Sequence, residues 1–326
     1  MNTKSVPDGA IVVGVDRSAS SDLAVDWGVD EATRRHLPLH IVHAYSYRYP
    51  TVSMDVGGDL NDEMQASREV ADEIVLATVT RARIADPELS VTWTMPPDVT
   101  AVAALEAASR TADTVVVGGR NHRAVRELLV GSVAARVASH AYCPVVVVHQ
   151  RATESAGPSP LGAVGPVVVG VEGPALQRPT LTYAFSAARS RQAPLEVVHG
   201  WWERHVEAAP VIASRQPVDW PQRAEDEHVL ITQALLDWNR TYPDVQVNVH
   251  TTHAHPAEEL VRRSAAASLL VVGTSAHRGV GELLGSTVSH AVIRRAHCPV
   301  AVIHTPAPAQ RAHWRGGALQ RRLQPH

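Results

Sequence analysis

The stretch Ile11–Asp16, IVVGVD, decides the fold, because it returns as VVVGVE at Val167–Glu172, 156 positions later. Three further blocks repeat in the same order: LPLHIVHAY at Leu37–Tyr45 with APLEVVHGW at Ala193–Trp201, TVVVGG at Thr114–Gly119 with LLVVGT at Leu269–Thr274, and AYCPVVVVH at Ala141–His149 with AHCPVAVIH at Ala296–His304. Ordered internal repeats of this kind predict two copies of one domain.

The chain of 326 residues has the length of two ordinary domains. We predict a first domain at 1–150 and a second at 166–305. The segment 151–165 is rich in Ala, Gly, Pro and Ser and is predicted to be a linker. Residues 306–326 contain several Arg and no acidic residue, and we expect a disordered basic tail there.

Within each copy, the short Val and Ile runs lack strict alternation, which is typical of strands buried on both faces of a parallel sheet. Apolar residues at helical spacing fill Asp22–Arg35, Asn61–Ile84 and Val99–Thr111. The predicted fold class is therefore α/β, with two tandem Rossmann-like doubly wound domains, each a five-stranded parallel sheet flanked by helices. A ligand crevice is expected beyond the carboxyl ends of the strands.

The last strand of each copy is expected to lie at an edge of its sheet. Val145–His149 and Val300–His304 are both apolar, and such an edge needs a cover. We therefore predict that the two copies pack as a pseudo-twofold pair through these strands.

Composition excludes several classes of function. The formal charge of −3 predicts neither nucleic acid nor membrane as a partner. No apolar stretch could span a bilayer, and the first residues do not look like a signal peptide, so we expect a cytoplasmic protein. Lys4 is the only lysine, which argues against a P-loop, a kinase site or a Schiff base. Without a recognisable catalytic triad or metal cluster, we expect no enzyme, and at most slow incidental ATP hydrolysis.

A glycine pattern follows the fourth predicted strand. The chain runs Gly118-Gly119-Arg120-Asn121, then nine residues, then Gly131-Ser132 at the start of a helical stretch. Here it resembles the universal stress protein family, whose ATP-binding members have G-x-x-G, nine residues, then G-S or G-T at this place. Glycines let backbone N–H groups approach phosphates, and a serine hydroxyl at a helix N-terminus adds to an anion site. The resemblance extends over nearly all of both copies.

The resemblance implies a set of nucleotide-binding residues in the first copy. The acid that ends the first strand lies near ribose and adenine in the family, and backbone just after the second-strand histidine faces the base; here these are Asp16 and Ala44. The implied residues are Gly14, Asp16, Ala44, Gly118, Arg120, Asn121, Arg123, Gly131, Ser132 and Val133. Asn121 stands where the family has Gly, and Asn tolerates a left-handed backbone better than most residues. Arg120, Arg123 and Arg126, together with His122, either attract an anion or form a solvated basic turn.

The second copy departs further from the family pattern. Its strand acid is Glu172, its loop reads Gly273-Thr274-Ser275-Ala276, and Ser286 and Thr287 take the places of Gly131 and Ser132. Its candidate nucleotide-binding residues are Gly170, Gly273, Ala276, Ser286 and Thr287. We expect the weaker nucleotide site here, since Ala276 resists a left-handed backbone.

Other reactive residue types are interpreted as structural. His43 and His199 lie at the ends of matching strands, and we assign them no catalytic role. Cys143 and Cys298 precede Pro and suit small buried positions. A metal at His250, His253 and His255 is conceivable, but no carboxylate or cysteine is spaced with them.

The leading hypothesis is a stress-response regulator that binds ATP, with or without Mg²⁺, or a related adenine nucleotide, mainly in the first domain. The alternative is a nucleotide-free interaction scaffold with degenerate sites. A homodimer is expected from the family habit and from the Trp-rich second copy, and an unknown regulatory protein partner is implied.

Overall fold

The first copy follows the predicted alternation of strands and helices. The computed structural model describes residues 5–47, 60–119, 131–149, 165–173, 176–200, 219–274 and 287–304. The first copy contains β1 (Ile11–Gly14), α1 (Ala19–Arg35), β2 (Leu39–Val42), α2 (Leu60–Ala85), β3 (Val91–Thr94), α3 (Ala101–Ala108), β4 (Thr114–Gly119), α4 (Ser132–His140) and β5 (Val145–His149). Residues 151–164 of the predicted linker and the predicted basic tail lie outside the described residues.

The second copy repeats this order, except that two helices lie between its second and third strands where the first copy has one. It contains β6 (Val167–Gly170), α5 (Arg178–Arg191), β7 (Leu195–Gly200), α6 (Trp220–Ala234), α7 (Leu236–Thr241), β8 (Val247–Thr252), α8 (Pro256–Ser264), β9 (Leu269–Thr274), α9 (Thr287–Arg295) and β10 (Val300–His304). None of the helices in the described ranges combines the length and apolar character that a bilayer span requires.

The ten strands of the described residues form one sheet in the order β3-β2-β1-β4-β5-β10-β9-β6-β7-β8. Strands within a copy run parallel, whereas β5 and β10 pair antiparallel, with Val147 opposite Val300 and Val145 opposite Val302. The predicted packing of the copies through their last strands is confirmed. Each apolar edge is covered by the other copy, which removes two unpaired strand edges from water.

Each face of the sheet carries a hydrophobic core that continues through both copies. Alternate residues of β1 show the division, since Ile11 and Val13 face the side covered by α1 and α2, while Val12 faces α3 and α4. In the second copy α5 and α6 cover the first side, and α8 and α9 cover the other. Burial on both faces explains the unbroken Val and Ile runs of these strands.

The strand order determines where a crevice can open. β1 lies between β2 and β4, and β6 lies between β7 and β9, so the chain winds in opposite directions from these central strands. In doubly wound sheets, ligands bind beyond the carboxyl ends of the strands at such a reversal. The two crevices are therefore expected after Gly14 and Gly119 in the first copy, and after Gly170 and Thr274 in the second.

Helix α3 is shorter than the predicted range Val99–Thr111. It begins after Thr100, whose hydroxyl accepts a hydrogen bond from the Ala103 N–H at 3.2 Å and caps the helix. The last helical residue is Ala108, and Ser109 is the C-terminal cap.

Candidate functional site

A pocket opens at the carboxyl ends of β1, β2 and β4, where the strand order reverses. Seven residues predicted from the sequence line it together: Gly14, Asp16, Ala44, Gly118, Gly131, Ser132 and Val133. The structure thus brings together segments that lie more than a hundred positions apart in the chain.

Several predicted residues lie outside the described part of the chain. These are Arg120, Asn121, Arg123, Ala276 and Ser286, together with the side chain of Thr287. Their proposed contacts with a nucleotide stay predictions.

Asp16 is exposed at the mouth of the pocket and is oriented by the turn that follows it. Its Oδ1 accepts hydrogen bonds from the Ser18 N–H at 2.9 Å and from the Ser18 hydroxyl at 2.5 Å. The Asp16 N–H donates to the Ser21 hydroxyl at 3.1 Å. This is an Asx-type turn, which holds the carboxylate without burying it. Ser18 caps α1, because its hydroxyl accepts a hydrogen bond from the Ser21 N–H at 3.2 Å.

Three serines of this pocket are not among the residues predicted from the sequence. Ser18, Ser20 and Ser21 line it beside Asp16. The signal was available in the run Asp16-Arg17-Ser18, because an acid two residues before a serine at a helix start is typical of a turn that leads into an N-cap. Apolar residues of α3 complete the wall: Ala101 and Leu105.

The packing of α1 against the end of β4 requires a glycine at position 118. A Cβ built on Gly118 would lie 2.5 Å from the backbone carbonyl carbon and oxygen of Ser20. Backbone atoms cannot turn aside as a flexible side chain can, so only glycine allows the first turn of α1 to lie over the end of β4. At Gly14 a Cβ would meet Leu105 Cδ1 at 2.9 Å, which is the end of a flexible side chain and can move more easily than the Ser20 backbone.

The start of α4 presents backbone donors to the pocket. Gly131 is its N-cap, with φ −50° and ψ 135°, and makes no side-chain capping bond. The exposed Ser132 follows as the first helical residue. Uncapped N–H groups at a helix N-terminus carry partial positive charge and favour an anion.

The two strand-end histidines hold the backbone of the crevices. His43 Nδ1 lies 2.8 Å from the Val15 carbonyl oxygen, and His199 Nδ1 lies 3.0 Å from the equivalent oxygen of Val171. Both imidazoles are buried. The predicted structural role of His43 and His199 is therefore confirmed, because each ring ties the end of a central strand to its neighbour.

The second copy has its own pocket at the equivalent crevice, and this pocket is larger. It encloses about 390 Å³ against about 80 Å³ in the first copy. The predicted residues Gly170 and Gly273 line it, together with Glu172. Further lining comes from Gln177, Thr180, His199 and His255.

The two cysteines and the histidines of β8 have surroundings that bear on their predicted roles. Cys143 and Cys298 are buried, and burial raises the pKa of the Cys143 thiol. Burial of both side chains agrees with the prediction that these cysteines fill small buried positions. His250 has a carboxylate neighbour that its spacing did not predict, since its Nε2 lies 3.8 Å from Glu196 Oε2 across β7 and β8. Among the described residues, no three potential metal ligands converge at this place or elsewhere.

Comparison with known proteins gives one consistent result. The profile of the universal stress protein family matches the chain twice, at residues 9–149 and 164–304. A universal stress protein of Mycobacterium tuberculosis is 32% identical over 295 residues, covering 90% of this chain and 96% of the relative. Another from Mycolicibacterium smegmatis is 32% identical over 308 residues, covering 92% and 98%. The crystal structure of a universal stress protein from Archaeoglobus fulgidus has a TM-score of 0.63 at 18% identity, covering 90% of this chain and 98% of its own.

Proposed function

Because this chain belongs to the universal stress protein family, with two family domains in tandem, we propose that it is a regulator that binds ATP or a related adenine nucleotide, mainly in its first domain. One observation carries the proposal. Seven residues predicted to contact a nucleotide come from β1, β2, β4 and α4 and line the same pocket.

The chemistry of this pocket suits a nucleotide. The Asp16 carboxylate is held by Ser18 at one oxygen, which leaves acceptor capacity for the hydroxyl groups of a ribose. The start of α4 supplies backbone N–H groups for phosphate oxygens at Gly131 and Ser132. Ala44 lies at the end of β2 and offers backbone atoms to the base.

Mg²⁺ fits the same arrangement as a companion of the phosphates. This ion is usually bound through one or two carboxylates together with substrate phosphates. Asp16 is the carboxylate that the first pocket offers among its described lining. The ion would neutralise part of the phosphate charge.

The size of the first pocket sets a condition on the proposal. About 80 Å³ is less than the roughly 300–1,000 Å³ of an ordinary small-molecule site. The pocket therefore accommodates only one part of ATP, and the remainder of the nucleotide would lie outside it.

The preference for the first domain rests on three differences in sequence. Asp16 has the length of the family acid, whereas Glu172 is one methylene longer. Gly131 and Ser132 match both the glycine and the hydroxyl of the family pattern, whereas Ser286 and Thr287 match only the hydroxyl. The third difference is the last residue of the loop, which is Asn121 in the first copy and Ala276 in the second. Asn adopts a left-handed backbone more readily than Ala.

The nucleotide would regulate contacts with other proteins and would not serve as a substrate for fast chemistry. We extend the proposal to a cytoplasmic homodimer with a regulatory protein partner, as the family resemblance implies. Hydrolysis of ATP, if present, would be slow and incidental.

A nucleotide-free scaffold is the second candidate, and the small first pocket favours it. Acid extraction of the purified full-length protein, followed by nucleotide chromatography, separates the two candidates. Stoichiometric adenine nucleotide in the extract supports the regulator. An extract without nucleotide, together with no ATP binding by calorimetry, would support the scaffold.

A further inference from the structure

The outermost strand of the second copy turns a row of backbone groups away from the sheet. β8 lies beside β7, and no other strand of the described residues lies on its outer side. The Leu195 N–H of β7 donates to the Gln246 carbonyl oxygen at 2.8 Å, in a register that places Leu195 opposite Val247. In a parallel pair, alternate residues of a strand bond to the same neighbour. The N–H and C=O groups of Val247, Val249 and Thr251 therefore point away from β7.

The strand β8 is held in place from both faces of the sheet. On one face Val249 packs against the core, and Thr251 Oγ1 donates to the Ala224 carbonyl oxygen of α6 at 3.0 Å. On the other face His250 Nε2 lies 3.8 Å from Glu196 Oε2 of β7. The outward backbone groups are thus fixed in the geometry of a strand, which lowers the entropy that a partner strand must lose on binding.

The two outer edges of the sheet differ in their protection against pairing. Proteins usually protect an edge strand by making it short or by placing proline or charged residues there. β3 has four residues and is followed by Pro96 and Pro97, after which Asp98 has a φ of 55° and turns the chain. β8 has six residues, VNVHTT, without proline, Asp, Glu, Lys or Arg. β8 is therefore an edge that a further strand can join.

A second copy of this strand fits the edge in both its backbone and its side chains. In an antiparallel pair about a twofold axis through Val249, this residue faces itself, and Val247 of each chain faces Thr251 of the other. Each of these pairs exchanges two N–H···O bonds, so every outward group is satisfied. On the other face, Asn248 of each chain lies opposite His250 of the other, and like charges do not meet.

The chain already pairs its two copies through an antiparallel contact of this kind. β5 and β10 lie side by side, with Val147 opposite Val300. We propose that β8 pairs antiparallel with β8 of a second copy of this chain, in the register centred on Val249, and joins two ten-stranded sheets into one. The existence of a homodimer rests on the proposed function, whereas the choice of β8 rests on its outward backbone groups.

Light scattering of the full chain tests the interface. Val249→Pro removes an N–H that points away from β7, and edge strands tolerate proline at such positions. The dimer should become at least about tenfold weaker, so that the mass at micromolar concentration falls from twice 35.1 kDa toward 35.1 kDa. Val91→Pro is the matched control on β3. It also removes an outward N–H, because the Leu39 N–H bonds to the preceding Ser90, and it should leave the dimer intact.

Cysteine cross-linking tests the register and does not depend on the proline variants. Val249→Cys places two thiols opposite each other, with Cα atoms about 5.5 Å apart, which a disulfide can span. Mild oxidation should therefore give a covalent dimer. Val247→Cys is the matched control, because its two Cα atoms would be more than about 13 Å apart and should not cross-link. The native Cys143 and Cys298 are buried.

Three results would overturn the proposal. These are a strict monomer of the wild-type chain, a Val249→Pro variant that dimerises like the wild type, and a Val249→Cys variant that cross-links no faster than Val247→Cys. A dimer that forms without β8 refutes this interface and leaves the homodimer of the proposed function standing. ATP binding is measured separately by calorimetry, because β8 contributes no residue to the described lining of either pocket.

Discussion

Arg191 of α5 donates from Nη2 to Oε2 of Glu31 in α1 at 2.6 Å, and this pair joins the two copies. Both side chains are buried, with 8% and 2% exposed. Arg35 is the counterpart of Arg191 in the repeat, and it also lies beside Glu31, with a bidentate bond to Asp113 at 2.7 and 2.9 Å. The repeat has Ala187 in place of Glu31, so the Glu31 carboxylate serves Arg191 as well as Arg34 and Arg35 of its own helix.

The Glu31–Arg191 pair predicts a large and specific loss of stability. Arg191→Met removes one of the three arginines around the buried Glu31 carboxylate and leaves Arg34 and Arg35 in place. The loss should therefore be about 1.5–3 kcal/mol, as for a hydrogen bond to a charged group, and below the about 3–5 kcal/mol of a buried charge that loses its partner entirely. Urea unfolding measures this cost. Arg17→Met is the control, because the Arg17–Glu73 pair is 62% and 73% exposed and should be worth less than about 1 kcal/mol. Equal losses in the two variants would contradict the interpretation.

Gly118→Ala should destabilise the first domain by about 1–3 kcal/mol, because the new methyl group meets the Ser20 backbone. Gly273→Ala is the matched change in the second domain and should cost about 1 kcal/mol or less, since the flexible end of Gln177 can move away. Chemical denaturation of both variants provides the comparison. A larger loss for Gly273→Ala than for Gly118→Ala would contradict this interpretation.

Two buried histidines predict a loss of stability in acid. Burial lowers the pKa of His40 and of His304 from 6.5 to about 4. Between these pH values the unfolded chain binds protons that the folded chain does not, so stability is full above pH 6.5 and falls as the pH decreases toward 4. Each histidine should contribute a slope of about 1.4 kcal/mol per pH unit.

Unfolding free energies measured between pH 7 and 4 test this expectation. His40→Gln should remove the contribution of His40 to this slope, which is about 1.4 kcal/mol per pH unit. His40 makes this contribution because it is fully buried between Thr92 and Thr94. An unchanged slope in His40→Gln would assign the acid sensitivity to other groups.

Homodimerisation of the tandem chain is expected from the family habit and from the Trp-rich second copy. Light scattering across micromolar concentrations should give twice the mass of 35.1 kDa. A strict monomer throughout that range would refute the expectation.

The fold could be predicted largely from the sequence because the repeat and the unbroken Val and Ile runs are local patterns. The pocket residues Gly14, Asp16 and Gly118 were implied by the resemblance to the family, whereas the patterns in the chain itself gave only the edge of the sheet at which a crevice opens. The Glu31–Arg191 pair could not be predicted, since its partners are 160 positions apart and meet only through the pairing of β5 with β10. The start of α5 could not be predicted from the sequence either, because Pro179 limits the start of the helix only to within its first turn.

ATP binding in the first domain is the central claim, and calorimetry on matched variants tests it most directly. If three modest differences each contribute roughly 1 kcal/mol, the first domain binds ATP about a hundredfold more tightly than the second. Asp16→Ala should therefore weaken ATP at least tenfold, whereas Glu172→Ala should change the affinity less than about twofold. Equal losses from the two variants, or no heat of ATP binding in the wild-type chain, would contradict the account.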